Sequence, residues 1–303
     1  MVKSWRCRKV IFSDMSLQNY MYGQRDAGFF GYSHFTGDSL EVKRINLLPI
    51  PDDVPDEKAL YLSDVLPTSY HTVVDTGVKP GDVVGIWGLG PIGQCAARWA
   101  LLKGASRVIG INRVPSRLQF AESKSGIEII DFSRYSDVTK RIYELCPRGL
   151  DVALDCGSFH EPKTMMHKIQ KTLMLETDVP ETINEMIVSV RKGGRCGIIA
   201  AYAGYANNVN IGALMEKGVR LIGNGQAPVH KYWEEILNEY IIPGKFDPTF
   251  MITHRVSIDD FSKLYSAFDK RVDGVQKVFV ETQFSSAPST GCPSVTRVDD
   301  WVP

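Results

Sequence analysis

The run Val83-Val84-Gly85-Ile86-Trp87-Gly88-Leu89-Gly90-Pro91-Ile92-Gly93 constrains this chain more than any other stretch. An apolar segment of strand length ends in a G-x-G-x-x-G loop. The loop opens into Gln94-Cys95-Ala96-Ala97-Arg98-Trp99-Ala100, a segment of high helix propensity. Between a strand and a helix, the three glycines have distinct tasks. Gly88 permits a tight turn, Gly90 lets backbone approach a pyrophosphate, and Gly93 lets the helix pack on the strand. Pro91 and Ile92 begin the helix, where a proline costs nothing and the free N–H groups attract anions. By spacing alone the motif also fits a glycine-rich structural turn; the strand and helix around it favour a dinucleotide site.

The following residues repeat the same grammar. Short apolar runs at 83–87, 107–111, 128–130, 151–155, 195–199 and 219–222 read as strands. Helical patterns at 92–103, 116–124, 138–145, 181–190 and 211–217 separate them. Strands that alternate with helices form a parallel sheet covered on both faces. The expected fold class is therefore α/β, a doubly wound parallel sheet of Rossmann type. Residues 131–137 read as loop, and 158–180 is long enough to hold a further helix. Residues 283–303, rich in Ser, Pro and Thr, read as a disordered tail.

Composition narrows the function classes. The chain has 303 residues, with Lys+Arg 35 and Asp+Glu 35, so its formal charge is zero and a nucleic-acid partner is not expected. No apolar run approaches the roughly 18 residues of a membrane span, and no apolar signal core follows the start. The expectation is a cytoplasmic protein with no membrane partner and a small-molecule substrate. The six cysteines are scattered without a C-x-x-C pair, so they suggest neither a disulfide framework nor a cysteine zinc cluster.

Cofactor identity turns on the end of the second strand, about 20 residues past the glycine loop, where NAD sites carry a carboxylate for the ribose hydroxyls. Here Asn112 and Arg113 stand there instead. An amide does not repel a 2′-phosphate, and Arg113 or Arg117 is able to pair with one. NAD and NADP both remain open, with the residues leaning to NADP. Arg113 equally reads as a solvated surface residue.

Several segments carry a family resemblance: Tyr22-Gly23-Gln24-Arg25-Asp26-Ala27-Gly28-Phe29-Phe30-Gly31-Tyr32-Ser33-His34, Leu62-Ser63-Asp64-Val65-Leu66-Pro67-Thr68, the glycine loop, Ile211-Gly212-Ala213-Leu214-Met215-Glu216-Lys217-Gly218, and Ile252-Thr253-His254-Arg255. From about residue 20 to 282 the chain resembles the zinc-type medium-chain alcohol dehydrogenases, in particular their glutathione-independent formaldehyde dehydrogenase-like branch. The resemblance implies hydride transfer between a small alcohol or aldehyde and NAD(P), with a zinc ion as Lewis acid. It implies a GroES-like catalytic domain at 1–70, a Rossmann domain at 71–249 and a return segment at 250–282.

By the same resemblance Asp64 is a metal ligand, with Thr68 and His71 near the reacting groups. Asp155, Ala200, Gly225, Gln226 and Lys277 are cofactor contacts, and homo-oligomers pair through the last strand of the Rossmann sheet. The family's ligand Cys and Gly-His-Glu segments, its four-cysteine lobe and a glycine-rich stretch near residue 40 are missing. The GroES-like domain is therefore expected to be truncated, with zinc binding in question. Asp64 also reads as a helix-start acceptor and His71 as a helix histidine. Two further functions stay open: a non-catalytic NAD(P)-binding remnant, and a zinc-independent NADPH reductase.

Overall fold

A computed structural model describes residues 8–12, 31–35, 47–157, 178–202, 204–270, 272–285 and 287–302. Two compact units divide the chain, one from Ser69 to Ala227, the other formed by the residues up to Thr68 together with those from Pro228 onward.

The Ser69–Ala227 unit is built on six parallel strands: β4 (Val83–Trp87), β5 (Arg107–Asn112), β6 (Glu128–Asp131), β7 (Leu150–Asp155), β8 (Val190–Ile198) and β9 (Arg220–Gly223). Their spatial order is β6-β5-β4-β7-β8-β9. This is the doubly wound Rossmann order, which reverses direction between β4 and β7. Side chains alternate across the sheet. Ile109 and Ile111 thus join Trp87, Ile130, Ile142, Leu150, Ala153, Met186 and Cys196 in one core layer. Burial of each large aliphatic side chain contributes roughly 1.5–3 kcal/mol.

The crossover helices are α3 (Pro91–Leu102), α4 (Pro115–Ser125), α5 (Val138–Leu145), α6 (Glu181–Ser189) and α7 (Ile211–Lys217). Asp137 and Asn210 cap α5 and α7, their side chains accepting the backbone N–H of Lys140 and Ala213 at 3.0 Å each. The expected elements among the described residues thus form, with two differences. β8 starts at Val190 rather than 195, and a register shift between its Leu150 and Val152 pairings takes up the extra residues. A single 3-10 turn, Phe132–Arg134, interrupts the expected loop because Asp131 caps it. Most of the expected helix within 158–180 lies outside the described residues.

The other unit is less regular. β1 (Arg8–Phe12) pairs antiparallel with β2 (Gly31–Phe35) and β3 (Leu47–Pro49). α1 (Asp56–Ala59) and a 3-10 turn, Leu60–Ser63, lead to α2 (Val65–Thr76), along which the chain passes into the Ser69–Ala227 unit. α8 (Val229–Ile236) buries Val229, Tyr232, Trp233 and Ile236, one apolar stripe at helical spacing. Its packing against Leu60–Ser63 puts residues 228–249 in this unit, whereas the sequence suggests a Rossmann domain running to 249. β10 (Ile252–Ser257) and β11 (Lys277–Glu281) form a parallel pair, with α9 (Phe261–Asp269) between them.

The expected disordered tail is instead docked. Trp301 is buried with Val256, Leu264, Ala267 and Val275, and its ring lies 4.1 Å from that of His254. Thr296 N donates to Arg255 O at 2.8 Å, and Ser289 donates through N and Oγ to the Glu57 carboxylate at 3.1 Å each. The composition of 283–302 signals disorder, but one large aromatic ring and a buried carboxylate supply the anchors.

Candidate nucleotide site

The glycine loop sits at the C-terminal end of β4, beside β7, where the strand order reverses. Two backbone bonds pin it: Gly88 N donates to Ile111 O at 3.0 Å, and Cys156 N donates to Trp87 O at 2.7 Å. Gly88 has φ +91°, and a Cβ there would lie 2.7 Å from Gly157 N. A Cβ on Gly93 would lie 1.9 Å from Gly88 O. Both positions are closed by protein. Gly90 differs: a Cβ built there meets nothing nearer than Arg117 Nη1, at 4.0 Å. Its φ of −74° suits any residue, so the protein itself places no demand for glycine at this point. Pro91 is the first helical residue and Ile92 follows it on α3.

Gln94 is a polar residue that the sequence reading passed over. It is 1% exposed, and its Nε2 donates to Leu89 O at 3.3 Å and to Arg117 O at 3.1 Å. One side chain thus ties the glycine loop to the first turn of α4. The available signal was a lone amide in the first turns of a helix whose other neighbouring residues, Ile92 to Ala97, are apolar or small.

Asn112 ends β5, 7% exposed. Its Oδ1 accepts the backbone N–H groups of Arg113 at 2.7 Å and Val114 at 3.0 Å. Arg113 is exposed, and Arg117 is half-buried on α4. Asp155 is fully buried at the end of β7. Its Oδ1 accepts Gly157 N at 3.1 Å and its Oδ2 accepts the Tyr202 hydroxyl at 2.8 Å. Burial, reinforced by the Asp155 charge, pushes the Tyr202 phenol far above its ordinary range, so it stays a donor. Ala200 N donates to Asp155 O at 3.0 Å, placing Ala200 beside the same strand end. Gly225 and Gln226 are exposed after β9, and Lys277 begins β11 in the other compact unit.

A second polar cluster was also missed. Asn224 Nδ2 donates to Asp75 Oδ2 at 2.9 Å, and Thr76 Oγ1 donates to Asn224 Oδ1 at 3.2 Å. Gly197 makes room for it, since a Cβ there would lie 2.0 Å from Thr76 Oγ1. His71 Nε2 lies 3.8 Å from Asp75 Oδ2. The i,i+4 spacing of His71 and Asp75 was the readable clue.

At the start of α2, Asp64 Oδ1 accepts the Thr68 hydroxyl at 2.9 Å, and Asp64 O accepts Thr68 N at 2.9 Å. The carboxylate serves the helix start. A catalytic zinc requires three protein ligands; among the described residues no three His, Cys, Asp or Glu side chains gather into such a group. The residues described therefore do not fit the metal. They do fit a dinucleotide, on the evidence of the loop. Cys7 lies outside the described residues, as does the side chain of His34.

The sheet order and the loop at its reversal define a Rossmann-type dehydrogenase fold. Comparison with known proteins carries this further. The zinc-binding dehydrogenase family matches residues 91–171. The chain is 38% identical over 278 residues to a zinc-type alcohol dehydrogenase-like protein of Schizosaccharomyces pombe, covering 89% of this chain but only 65% of the relative. It is 30% identical to an uncharacterized zinc-type alcohol dehydrogenase-like protein of Bacillus subtilis, covering 91% of this chain and 76% of the relative. A glutathione-independent formaldehyde dehydrogenase of Pseudomonas aeruginosa is 31% identical over 78% of this chain and 61% of its own length. Among solved structures, an alcohol dehydrogenase from Thermus sp. ATN1 superposes with TM-score 0.64 at 24% identity, over 78% of this chain and 63% of that one. This chain belongs to the zinc-type alcohol dehydrogenase family.

Proposed function

We propose that this chain binds NAD(P) at the β4 loop and exchanges a hydride between the nicotinamide and a small alcohol or aldehyde. The observation that carries the reading is the contrast among the glycines: Gly88 and Gly93 are closed by protein, while Gly90 is open. A pyrophosphate laid over the loop uses that opening and the N-terminal end of α3. Ala200, Gly225 and Gln226, at the ends of the later strands, are the groups we assign to the nicotinamide side, and Asp155 to the adenosine side. Family membership supplies the reaction class. In such enzymes a bound zinc polarises the substrate oxygen; because the described residues do not fit it, no step is assigned to a metal.

The Asp64–Thr68 bond favours a second reading, in which the chain binds NAD(P) without oxidising alcohols. Titration of nicotinamide fluorescence, zinc analysis and alcohol-dependent NAD(P)H formation on one preparation separate the two. Cofactor binding with turnover supports the first, and binding without turnover the second. Loss of binding in both cofactors rejects the nucleotide site. Turnover of an enone or quinone by NADPH without zinc would instead indicate a metal-independent reductase. We also assign β9, an edge strand carrying Leu221 at 39% exposure, as a self-association edge. A monomeric mass by light scattering overturns that assignment. A cytoplasmic site of action completes the proposal. Among the described residues no helix is long and apolar enough to cross a membrane.

A further inference from the structure

We propose that Asn224 is the positioning residue of the nicotinamide half: its side chain fixes the turn that carries Gly225 and Gln226, so recognition of the nicotinamide, and not of the adenosine diphosphate, depends on it. The inference rests on the nucleotide site proposed above. The strands of the six-stranded sheet run parallel, so the turn after β9 opens at the same end of the sheet as the glycine loop, the end at which such sheets bind ligands. In the strand order, β8 and β9 lie on the opposite side of β4 from β5 and β6. Adenosine ribose contacts come from the end of the strand that follows the glycine loop, here β5, which leaves the β8–β9 side to the other half of a dinucleotide.

Sheet pairing carries β9 as far as Gly223, which pairs with Ile198. Beyond it, Asn224 takes over. It is 1% exposed, although exposed Gly225 and Gln226 follow it directly. Its N–H donates to Ile198 O at 2.8 Å, its Nδ2 donates to Asp75 Oδ2 at 2.9 Å, and its Oδ1 accepts the Thr76 hydroxyl at 3.2 Å. A carboxylate oxygen accepts and an amide N–H donates, so Asp75 dictates which end of the amide faces it. Gly197 shows that room is kept for this arrangement: a Cβ there would lie 2.0 Å from Thr76 Oγ1 and 2.6 Å from Asn224 Oδ1. Gly225 has no bracing of its own, since a Cβ built there meets nothing within 4 Å. The two exposed residues are thus held between buried Asn224 and buried Ala227. Ala227 is an apolar anchor without direction, whereas the bonds of Asn224 are directional. The orientation of the turn is inherited from Asn224, and through it from the last turn of α2.

The experiment is calorimetric titration of the full chain with NADH against ADP-ribose, which lacks the nicotinamide, and with NADPH against 2′-phospho-ADP-ribose. For the cofactor bound more tightly, the wild type is expected to favour the complete dinucleotide about tenfold or more over its truncated form. Asn224→Ala should lower affinity for the dinucleotide about tenfold and leave the truncated form within about twofold. Thr76→Val keeps the volume and removes one of the bonds; it should move affinity in the same direction by about threefold, and it carries the test if Asn224→Ala does not fold. A merely structural role would weaken both ligands together. Equal loss of both, or loss of neither, overturns this inference and leaves the nucleotide site intact. Equal wild-type affinity for dinucleotide and truncated form also overturns it, because the turn then meets no nicotinamide. Binding of none of the four ligands overturns both readings.

Discussion

The two compact units spend their polar residues differently. In the Ser69–Ala227 unit, groups at the strand ends are left facing outward: Gly90 over open space, Arg113, Gly225 and Gln226 exposed. In the other unit, polar groups at the family-related positions are turned on one another. Asp64 holds Thr68, Arg255 lies between Glu57 and Glu281 at 2.6 Å from each, and His254 Nε2 lies 3.2 Å from Asp273 Oδ2. The first pattern is the one on which the proposed nucleotide site draws. The second stabilises the fold. A residue type inherited from an enzyme family therefore does not by itself mark a working site; what its atoms are already bonded to decides.

Five experiments would break or sharpen this contrast. The largest effect is expected at Arg255, which is 1% exposed, as is Glu57. Arg255→Met leaves a buried carboxylate without its cation, at a cost of about 3–5 kcal/mol; urea unfolding measures it. A change under about 1 kcal/mol would show that this pair does not hold the unit together.

Next is Gly93→Ala. Its new methyl would meet Gly88 O at 1.9 Å, so a loss of about 3 kcal/mol is expected together with loss of cofactor binding. Gly90→Ala tests the opposite case. Stability should change by less than about 0.5 kcal/mol, while cofactor affinity falls about tenfold because the methyl meets the ligand alone. Equal effects at Gly90 and Gly93 would erase the distinction on which the site rests.

Asp64→Ala should cost about 1 kcal/mol, the value of a helix-start hydrogen bond, without altering metal content. Loss of bound zinc in this variant would reinstate Asp64 as a ligand. The smallest effect is acid sensitivity at Glu128. Arg107 donates to both its carboxylate oxygens at 2.8 Å, and these bonds hold its pKa below the ordinary carboxylate value. A depressed folded-state pKa stabilises above the unfolded pKa of about 4.3 and loses that stability as pH falls through the folded value. The unfolding midpoint of Glu128→Gln should therefore respond less to pH below about 4.3 than that of the wild type.

Sequence made the Rossmann unit legible because its signals are local. Strand runs, helix caps and the glycine spacing are each read within a dozen residues. The missed features depend on contacts between distant positions. Gln94 gained meaning only when Arg117 O was found beside it, and Asn224 only when Asp75 and Thr76 reached it from α2. The tail failed for the same reason. Its Ser, Pro and Thr content describes a solvated segment, and nothing local reveals that Trp301 has a pocket. Asp64 was legible both as a motif and as a helix-start acceptor, and what sequence left open was its partner, the Thr68 hydroxyl.

The Gln94 amide also bears on how a dinucleotide would leave. Because one buried side chain grips both Leu89 and Arg117, the phosphate loop and the first turn of α4 are mechanically a single clasp. Displacing either one means breaking a hydrogen bond of the Gln94 side chain or carrying the other along. For the dinucleotide site proposed above, release of the pyrophosphate would then carry the α4 end with it, and Gln94→Ala is expected to turn single-phase stopped-flow dissociation into two phases.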